Sequence, residues 1–314
     1  MNFADRLIAA IKNKKSVACV GLDPHWDQIP AFLKEGRTPG EAILAFNKGI
    51  IDAISDLVPI VKPQLAFYEK FGMDGLGAFW ETIKYAKEKG LLVLADGKRD
   101  DIGSTAVAYA QAYLDTKGEF GQYIDALTVN AYLGSDGVKP FVDLCREHDK
   151  GIFVLVKTSN PSSGELQDLR LADGMTVKEK MASLVARWGQ DLEGKEGYSA
   201  IGAVVGATYP EDFEKLRAQM PQQIFLIPGY GAQGGTAADL KTCFDEQGLG
   251  AIVNSSRGII FAYTKDSKYS EEDFAEAARE AVLKMNGELA ANYKFGILND
   301  ELIQIQHSKF VFKA

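Results

Sequence analysis

Residues 91–114 read LLVLADGKRDDIGSTAVAYAQAYL, and this stretch contains the unit from which the fold can be predicted. It begins with an apolar segment, 91–96, that does not alternate with polar residues, as is typical of a parallel strand buried on both faces. A charged turn follows, and residues 104–114 then have the apolar spacing of a helix. The stretch therefore predicts one strand, one turn and one helix in succession.

The same unit recurs along the whole chain. Successive apolar segments are separated by helical patterns, and eight strands that alternate with helices are the number expected of a (β/α)8 barrel. The predicted strands are 16–22, 58–62, 91–96, 126–130, 152–158, 201–206, 223–228 and 251–255. The predicted helices between and after them are 39–54, 75–89, 104–114, 138–146, 177–190, 210–219, 236–246 and 270–285.

A doubly wound parallel sheet is the alternative α/β architecture. Such sheets usually have fewer strands and a glycine-rich turn after the first strand. Here the first strand leads into Gly21-Leu-Asp-Pro24, and no Gly-x-Gly-x-x-Gly follows. No linker or repeat interrupts the chain, so we predict one TIM-barrel domain over 1–314, with the barrel over about 16–285 and a C-terminal extension over 286–314.

Composition narrows the classes of function. The chain has 314 residues, of which 46% are hydrophobic and 25% charged, and its net charge is −8. This acidic balance argues against a nucleic-acid partner, which normally meets a basic surface. It does not exclude a small anionic ligand, because one arginine and a few backbone N–H groups can bind a phosphate.

Cysteine and histidine are too few and too scattered to suggest a metal centre or disulfides. There are three of each, with no Cys-x-x-Cys pair or ligand spacing. Residues 1–15 have the spacing of an amphipathic surface helix rather than a signal peptide, and no apolar segment is long enough to span a membrane. We therefore expect a cytoplasmic protein without a membrane partner.

Polar residues mark the carboxyl ends of the predicted strands, where the active site of a (β/α)8 barrel is built. Charged residues follow the first three strands, whereas glycine-rich loops and an arginine follow the last two. Loops after strands seven and eight commonly hold phosphate in this fold, so we expect a reacting end and a phosphate-binding end. The residues concerned are Asp23, Lys62, Asp96, Lys98, Thr128, Asn130, Thr158, Ser159, Asn160, Gly229, Gly231, Asn254 and Arg257.

The charged residues of the first three strands predict an alternating array. Asp96 and Lys98 are two residues apart and face the same way on an extended strand, while Lys62 ends the neighbouring strand and Asp101 follows at the turn. A lysine in such an array can stabilise a developing carbanion and deliver a proton to it. An ion-pair network at a barrel rim, without catalysis, is the alternative interpretation.

These residues resemble the signature of the orotidine 5'-phosphate decarboxylase family. The motif is Asp96-x-Lys98-x-x-Asp101-Ile-Gly103, and the resemblance extends over the barrel from about residue 16 to 262. It implies decarboxylation of orotidine 5'-monophosphate to uridine 5'-monophosphate in pyrimidine biosynthesis, by a homodimer that needs neither a metal nor an organic cofactor.

The resemblance also implies catalytic roles. Lys98 would protonate C6 of the pyrimidine after carbon dioxide leaves, and Asp96 would lie beside the departing carboxylate and hold Lys98. Lys62 would take part in the same charge array. Asp101 would reach across the dimer interface into the partner's site, and the same segment would place the hydroxyl of Thr105 near the ribose.

Substrate-binding roles follow from the same resemblance. Lys62 and Asp23 would bind the ribose hydroxyls, and Ser159 would form a hydrogen bond to the pyrimidine. The loop 229–235 is shorter than the phosphate lid of many relatives, so we expect the long segment 160–175 to do part of that work. The phosphate would be bound by Arg257, Gly258 and Gln233.

Two other functions remain as alternatives. Metal-dependent sugar-phosphate decarboxylases and aldol-type synthases share the fold and the Asp-x-Lys-x-x-Asp pattern, but they place a carboxylate at the end of strand two to help hold magnesium. The chain has Lys62 there, and a second cation beside it would be repelled. A non-catalytic barrel that binds a phosphate ligand is the other alternative, since a fold does not dictate a function.

Overall fold

A computed structural model describes residues 1–231 and 235–290 and contains a closed barrel of eight parallel strands in sequential order. All eight predicted strands are confirmed, and their ends differ from the predicted ends by at most three residues. The strands are β1 (Ala18–Leu22), β2 (Ile60–Pro63), β3 (Leu92–Arg99), β4 (Ala126–Val129), β5 (Gly151–Lys157), β6 (Ser199–Val205), β7 (Gln223–Ile227) and β8 (Ala251–Ser255).

Helices surround this barrel. The longest lie where the sequence predicts them; the helix Pro39–Ile54, for example, begins at a Thr38–Glu41 capping box with proline in its first turn. The α-helices are α1 (Phe3–Lys14), α2 (Ala31–Lys34), α3 (Pro39–Ile54), α4 (Ala66–Glu69), α5 (Gly72–Glu88), α6 (Gly103–Leu114), α7 (Ser135–His148), α8 (Gly164–Gln167), α9 (Val177–Gly189), α10 (Phe213–Gln219), α11 (Arg257–Ile260) and α12 (Phe274–Ala290).

The prediction of an α-helix over 236–246 is wrong. This segment contains the 3₁₀ helix Ala238–Cys243. Its two buried side chains, Leu240 and Cys243, are three residues apart, and that spacing suits a helix with three residues per turn.

The N-terminal helix α1 is amphipathic, as predicted, and lies against the amino-terminal end of the barrel. Its Leu7, Ile8 and Ile11 are buried, and the ring of Phe3 meets that of Phe153 edge to face. A Cβ atom on Gly151 would lie 2.2 Å from the Phe3 ring, so this close approach requires glycine. None of the described helices is both long and apolar enough to cross a membrane.

Strand register brings the predicted charged residues together. Gly21 of β1 is paired with Lys62 of β2, and an isolated bridge joins Gln64 to Asp96 of β3. Because the strands are parallel, their carboxyl ends open at the same end of the barrel. The register of β3 against β4 shifts between Ala95 and Arg99, and Arg99 is again paired, with Val129.

Candidate active site

Asp96 lies between two lysines at the carboxyl end of the barrel. Lys62 Nζ is 2.6 Å from Asp96 Oδ2, and Lys98 Nζ is 2.6 Å from Asp96 Oδ1. The side chain of Lys62 is 5% exposed, whereas that of Lys98 is 45% exposed. The predicted array is therefore assembled within one chain, with a buried lysine below and a lysine that opens to solvent above.

Burial and charge act against each other in this array. Burial raises the pKa of the Asp96 carboxyl, but Lys62 and Lys98 outweigh it and hold that pKa well below its usual range. Burial also lowers the pKa of the Lys62 ammonium, but the carboxylates of Asp96 and Asp23 outweigh it and raise that pKa above its ordinary value. At neutral pH Asp96 is ionised and Lys62 carries its positive charge.

Thr128 of β4 completes the surroundings of Asp96. Its hydroxyl donates to Asp96 Oδ1 at 2.8 Å, and its Oγ1 accepts the Lys98 amide at 2.9 Å. Lys98 itself has φ +46°, a left-handed conformation that a non-glycine residue rarely adopts. Sequence reasoning placed Thr128 at a strand end but gave it no role; its position opposite Asp96 on the next strand was the available signal.

Two polar atoms near the array have no partner among the described residues. They are Asp23 Oδ1, after β1, and Asn254 Oδ1, on β8, and both are buried. A Cβ atom on Gly21 would lie 3.3 Å from Asn254 Oδ1, which places the Asn254 amide beside the end of β1. Buried polar atoms without partners are rare, so both are suited to bind a polar ligand. Asn254 has no role in the sequence prediction.

Asp100 and Asp101 follow β3, and within the described residues neither forms a hydrogen bond or ion pair with Lys62, Asp96 or Lys98. Asp101 Oδ1 accepts its neighbour's amide, from Ile102, at 2.8 Å. Burial raises the pKa of the Asp100 carboxyl, and the negative charge of Asp101 raises it further. Thr105, in the first turn of α6, is exposed. The structure thus does not bring Asp101 and Thr105 to the Lys62–Asp96–Lys98 array of their own chain.

The end of β8 turns directly into the short helix α11. Arg257, its first residue, is exposed, and its charge contributes to lowering the pKa of His25, although burial of that ring has the larger effect. A Cβ atom on Gly258 would lie 2.9 Å from Ser255 Oγ. Arg257 and Gly258 are thus adjacent at the predicted phosphate end, while Gln233 lies outside the described residues.

Ser159 follows β5 and is half-buried. Its carbonyl accepts the hydroxyl of Thr208, which follows β6, at 3.3 Å. A Cβ atom on Gly206 would lie 2.8 Å from the Cα atom of Ser159, so the two loops are in direct contact. The segment after Ser159 contains a 3₁₀ turn and α8, and its predicted action as a lid stays a prediction.

No group of three or more His, Cys, Asp or Glu side chains that could hold a metal ion occurs within 1–231 and 235–290. The array instead joins two ammonium groups to one carboxylate. Such an arrangement favours negative charge that develops close to Lys98, and it offers that charge a proton.

The barrel and the array define the class of protein: a (β/α)8 enzyme with an Asp-x-Lys-x-x-Asp segment at its third strand. The sequence profile of the orotidine 5'-phosphate decarboxylase / HUMPS family matches residues 16–271. The chain belongs to this family, as its residues predicted.

Individual relatives agree with this assignment. The chain is 46% identical over 302 residues to the orotidine 5'-phosphate decarboxylase of Rhodopirellula baltica, covering 92% of this chain and 99% of that protein. It is 44% identical to the orotidine 5'-phosphate decarboxylase of Caldicellulosiruptor saccharolyticus, covering 88% and 94%. The solved structure of Leishmania donovani OMP decarboxylase superposes with a TM-score of 0.72 at 31% identity, covering 93% of this chain and 98% of that one.

Proposed function

We propose that this protein decarboxylates orotidine 5'-monophosphate (OMP) to uridine 5'-monophosphate (UMP), a step of pyrimidine biosynthesis. The observation that carries the proposal is the Lys62–Asp96–Lys98 array, in which one carboxylate contacts two ammonium groups at 2.6 Å each. Relatives that bear this activity in their names align with nearly the whole chain.

The chemistry follows from the charges of the array. The bond between C6 of the pyrimidine and its carboxylate breaks, carbon dioxide leaves, and the electron pair remains on C6. The Lys98 ammonium then transfers a proton to C6, which leaves a neutral amine that regains its proton from solvent. Asp96 lies beside the departing carboxylate and orients Lys98, while Lys62 keeps Asp96 ionised.

Binding of the remaining substrate is assigned to the strand ends around the array. Lys62 and Asp23 bind the ribose hydroxyls, and the buried Asp23 Oδ1 is free to accept one of them. Ser159 binds the pyrimidine. The phosphate is bound by Arg257, the Gly258 backbone and Gln233. Contacts far from C6 supply binding energy that is used at the reacting centre.

The active unit is a homodimer, in which Asp101 and Thr105 complete the partner's site. This assignment is supported by the described contacts, among which neither residue meets the array of its own chain. Ile102 follows β3, Tyr132 and Leu133 follow the neighbouring strand β4, and the three are 53%, 73% and 45% exposed. Exposed large apolar side chains that lie together are typical of an interface.

The whole chain acts as one barrel domain with a C-terminal extension, and neither metal nor organic cofactor takes part in its reaction. Lys62 supports this, since its ammonium group occupies the place where the metal-dependent relatives put a carboxylate. All three cysteines are free and buried, which is compatible with the reducing conditions of the cytoplasm, where we place the protein.

The experiment is a spectrophotometric assay with OMP, run with and without EDTA. We expect equal rates of UMP formation in both, and no release of carbon dioxide from sugar phosphates. Loss of OMP turnover after chelation would instead assign the chain to the metal-dependent branch. Phosphate-ligand binding without any turnover of OMP would favour a non-catalytic barrel.

A further inference from the structure

Lys157 ends β5, is buried and takes no part in the catalytic array. Its side chain is 1% exposed. Leu155 pairs with Val204 and Lys157 pairs with Val205, so the strand has an extra residue at this point. Val204 and Val205 point to opposite faces of β6, and paired residues of parallel strands share a face. The bulge therefore turns Lys157 to the face opposite Leu155.

Lys157 forms an ion pair with the segment that follows its own strand. Its Nζ lies 2.9 Å from Asp168 Oδ1 and 2.8 Å from Asp168 Oδ2, and it lies over the ring of Tyr209 at 4.1 Å. Asp168 also contacts Lys178 of α9 at 2.8 Å, and Lys178 in turn contacts Asp212 at 2.6 Å. A chain of alternating charges thus ties the segment to the outer helices.

The ion pair joins the two ends of the segment 158–168. Next to it, the Thr158 amide donates to Gln167 Oε1 at 2.9 Å, and Gln167 Nε2 donates to Thr158 Oγ1 at 2.8 Å. Ser159 lies directly after this double contact, and its carbonyl is held by Thr208 on the other side. The backbone of Ser159 is therefore held between its own segment and the loop that follows β6.

We infer that Lys157, through Asp168, is a positioning residue that holds Ser159 where it can contact the pyrimidine. The inference rests on the proposed function of Ser159. A buried lysine is costly to place in a barrel wall unless a carboxylate pairs with it. Here that carboxylate comes from the far end of the segment, so Lys157 has its Asp168 partner only when the segment is in place.

The test compares Lys157→Met with Asp212→Asn. Methionine fills the same volume without a charge, and Asp168 keeps Lys178 as a partner, so Lys157→Met should fold. Asp212→Asn removes a contact to the same Lys178 but leaves Lys157 and the segment untouched. It is therefore the matched control for loss of one ion pair in this cluster.

Three measurements follow for each variant. Hydrogen exchange at the Thr158 amide should become faster in Lys157→Met and stay unchanged in Asp212→Asn. The dissociation constant for UMP should rise about tenfold in Lys157→Met, the size expected for one lost hydrogen bond. The dissociation constant for ribose 5-phosphate, which has no pyrimidine, should stay unchanged. In a double variant, adding Ser159→Ala to Lys157→Met should weaken UMP binding no further.

Unchanged exchange at Thr158, or equal weakening of UMP and ribose 5-phosphate binding, would overturn the inference. The inference would also be overturned if the increases in the UMP dissociation constant caused by Lys157→Met and by Ser159→Ala simply multiplied in the double variant. OMP turnover by the wild-type chain decides the proposed function separately, because the exchange and binding measurements do not depend on catalysis.

Discussion

Lys98 Nζ contacts Oδ1 of Asp96, while Lys62 Nζ contacts Oδ2 of the same carboxylate. Each oxygen thus has its own ammonium partner, and the two lysines differ chiefly in exposure. Lys62 is enclosed by the barrel, whereas Lys98 can reach a ligand at the mouth. The two lysines therefore have different roles: Lys62 fixes the Asp96 carboxylate, and Lys98 can transfer a proton.

We expect Lys98→Ala to abolish turnover and leave the fold intact. Loss of a general acid costs about 10²–10⁴-fold in rate, and the half-exposed side chain contributes little packing. The measurement is kcat for OMP together with thermal unfolding. Lys139→Ala, which removes an exposed lysine paired with Asp143, is the control and should keep full activity. Near-normal decarboxylation by Lys98→Ala would contradict the assignment of Lys98.

We expect Asp96→Asn to lower the free energy of unfolding by about 3–5 kcal/mol at pH 7, because it leaves the buried Lys62 charge unpaired. Asp143→Asn, at an exposed pair, should cost about 0.5 kcal/mol. Both are measured by urea unfolding. A loss at Asp96 no larger than that at Asp143 would show that the array is solvated.

The difference in stability between wild type and Asp96→Asn should depend on pH. The folded state depresses the pKa of Asp96, so its contribution to stability is fully present above the pKa of an unfolded aspartate, about 4, and is lost as the pH falls through the lower, folded value. The difference in unfolding free energy between wild type and Asp96→Asn should therefore be constant from pH 7 to 5 and shrink below about pH 4. A difference that grows on acidification would reverse the sign of the assigned shift.

The array could be predicted from sequence because its information is local. Asp96 and Lys98 are only two residues apart, and Lys62 ends the strand that precedes theirs in the chain. Consecutive strands in such a barrel are neighbours, so the contact follows once the fold is known.

Other features depend on backbone irregularity, which leaves no mark in the apolar pattern. Alternation alone places Lys157 on the same face as Leu155, and only the bulge reverses it. The same holds for the left-handed turn at Lys98, which brings its amide to Thr128. The contacts of Asp168 and Asp212 join segments far apart in the chain, and no periodicity predicts them.

Thr128→Val tests the hydroxyl that the sequence left without a role. The variant removes a donor to Asp96 and an acceptor for the Lys98 amide, so we expect kcat to fall about tenfold and stability by about 1–3 kcal/mol. Ser16→Ala is the control, since Ser16 also donates once, to Asn286, and accepts one amide, at the opposite end of the barrel. Ser16→Ala should lower stability but leave kcat unchanged. Equal kcat in Thr128→Val and wild type would remove Thr128 from the site.

The last prediction concerns the subunit that supplies Asp101. If Asp101 acts in the partner's site, a heterodimer of Lys98→Ala and Asp101→Asn contains one site with both changes and one site with neither. Each variant alone should be inactive, and an equimolar mixture, after exchange of subunits, should recover about a quarter of the wild-type sites, since half of the dimers are mixed and each has one intact site. The measurement is OMP turnover of the mixture over time. If Asp101 acted in its own chain, every site would carry one change and the mixture would stay inactive, so recovered activity distinguishes the two arrangements directly.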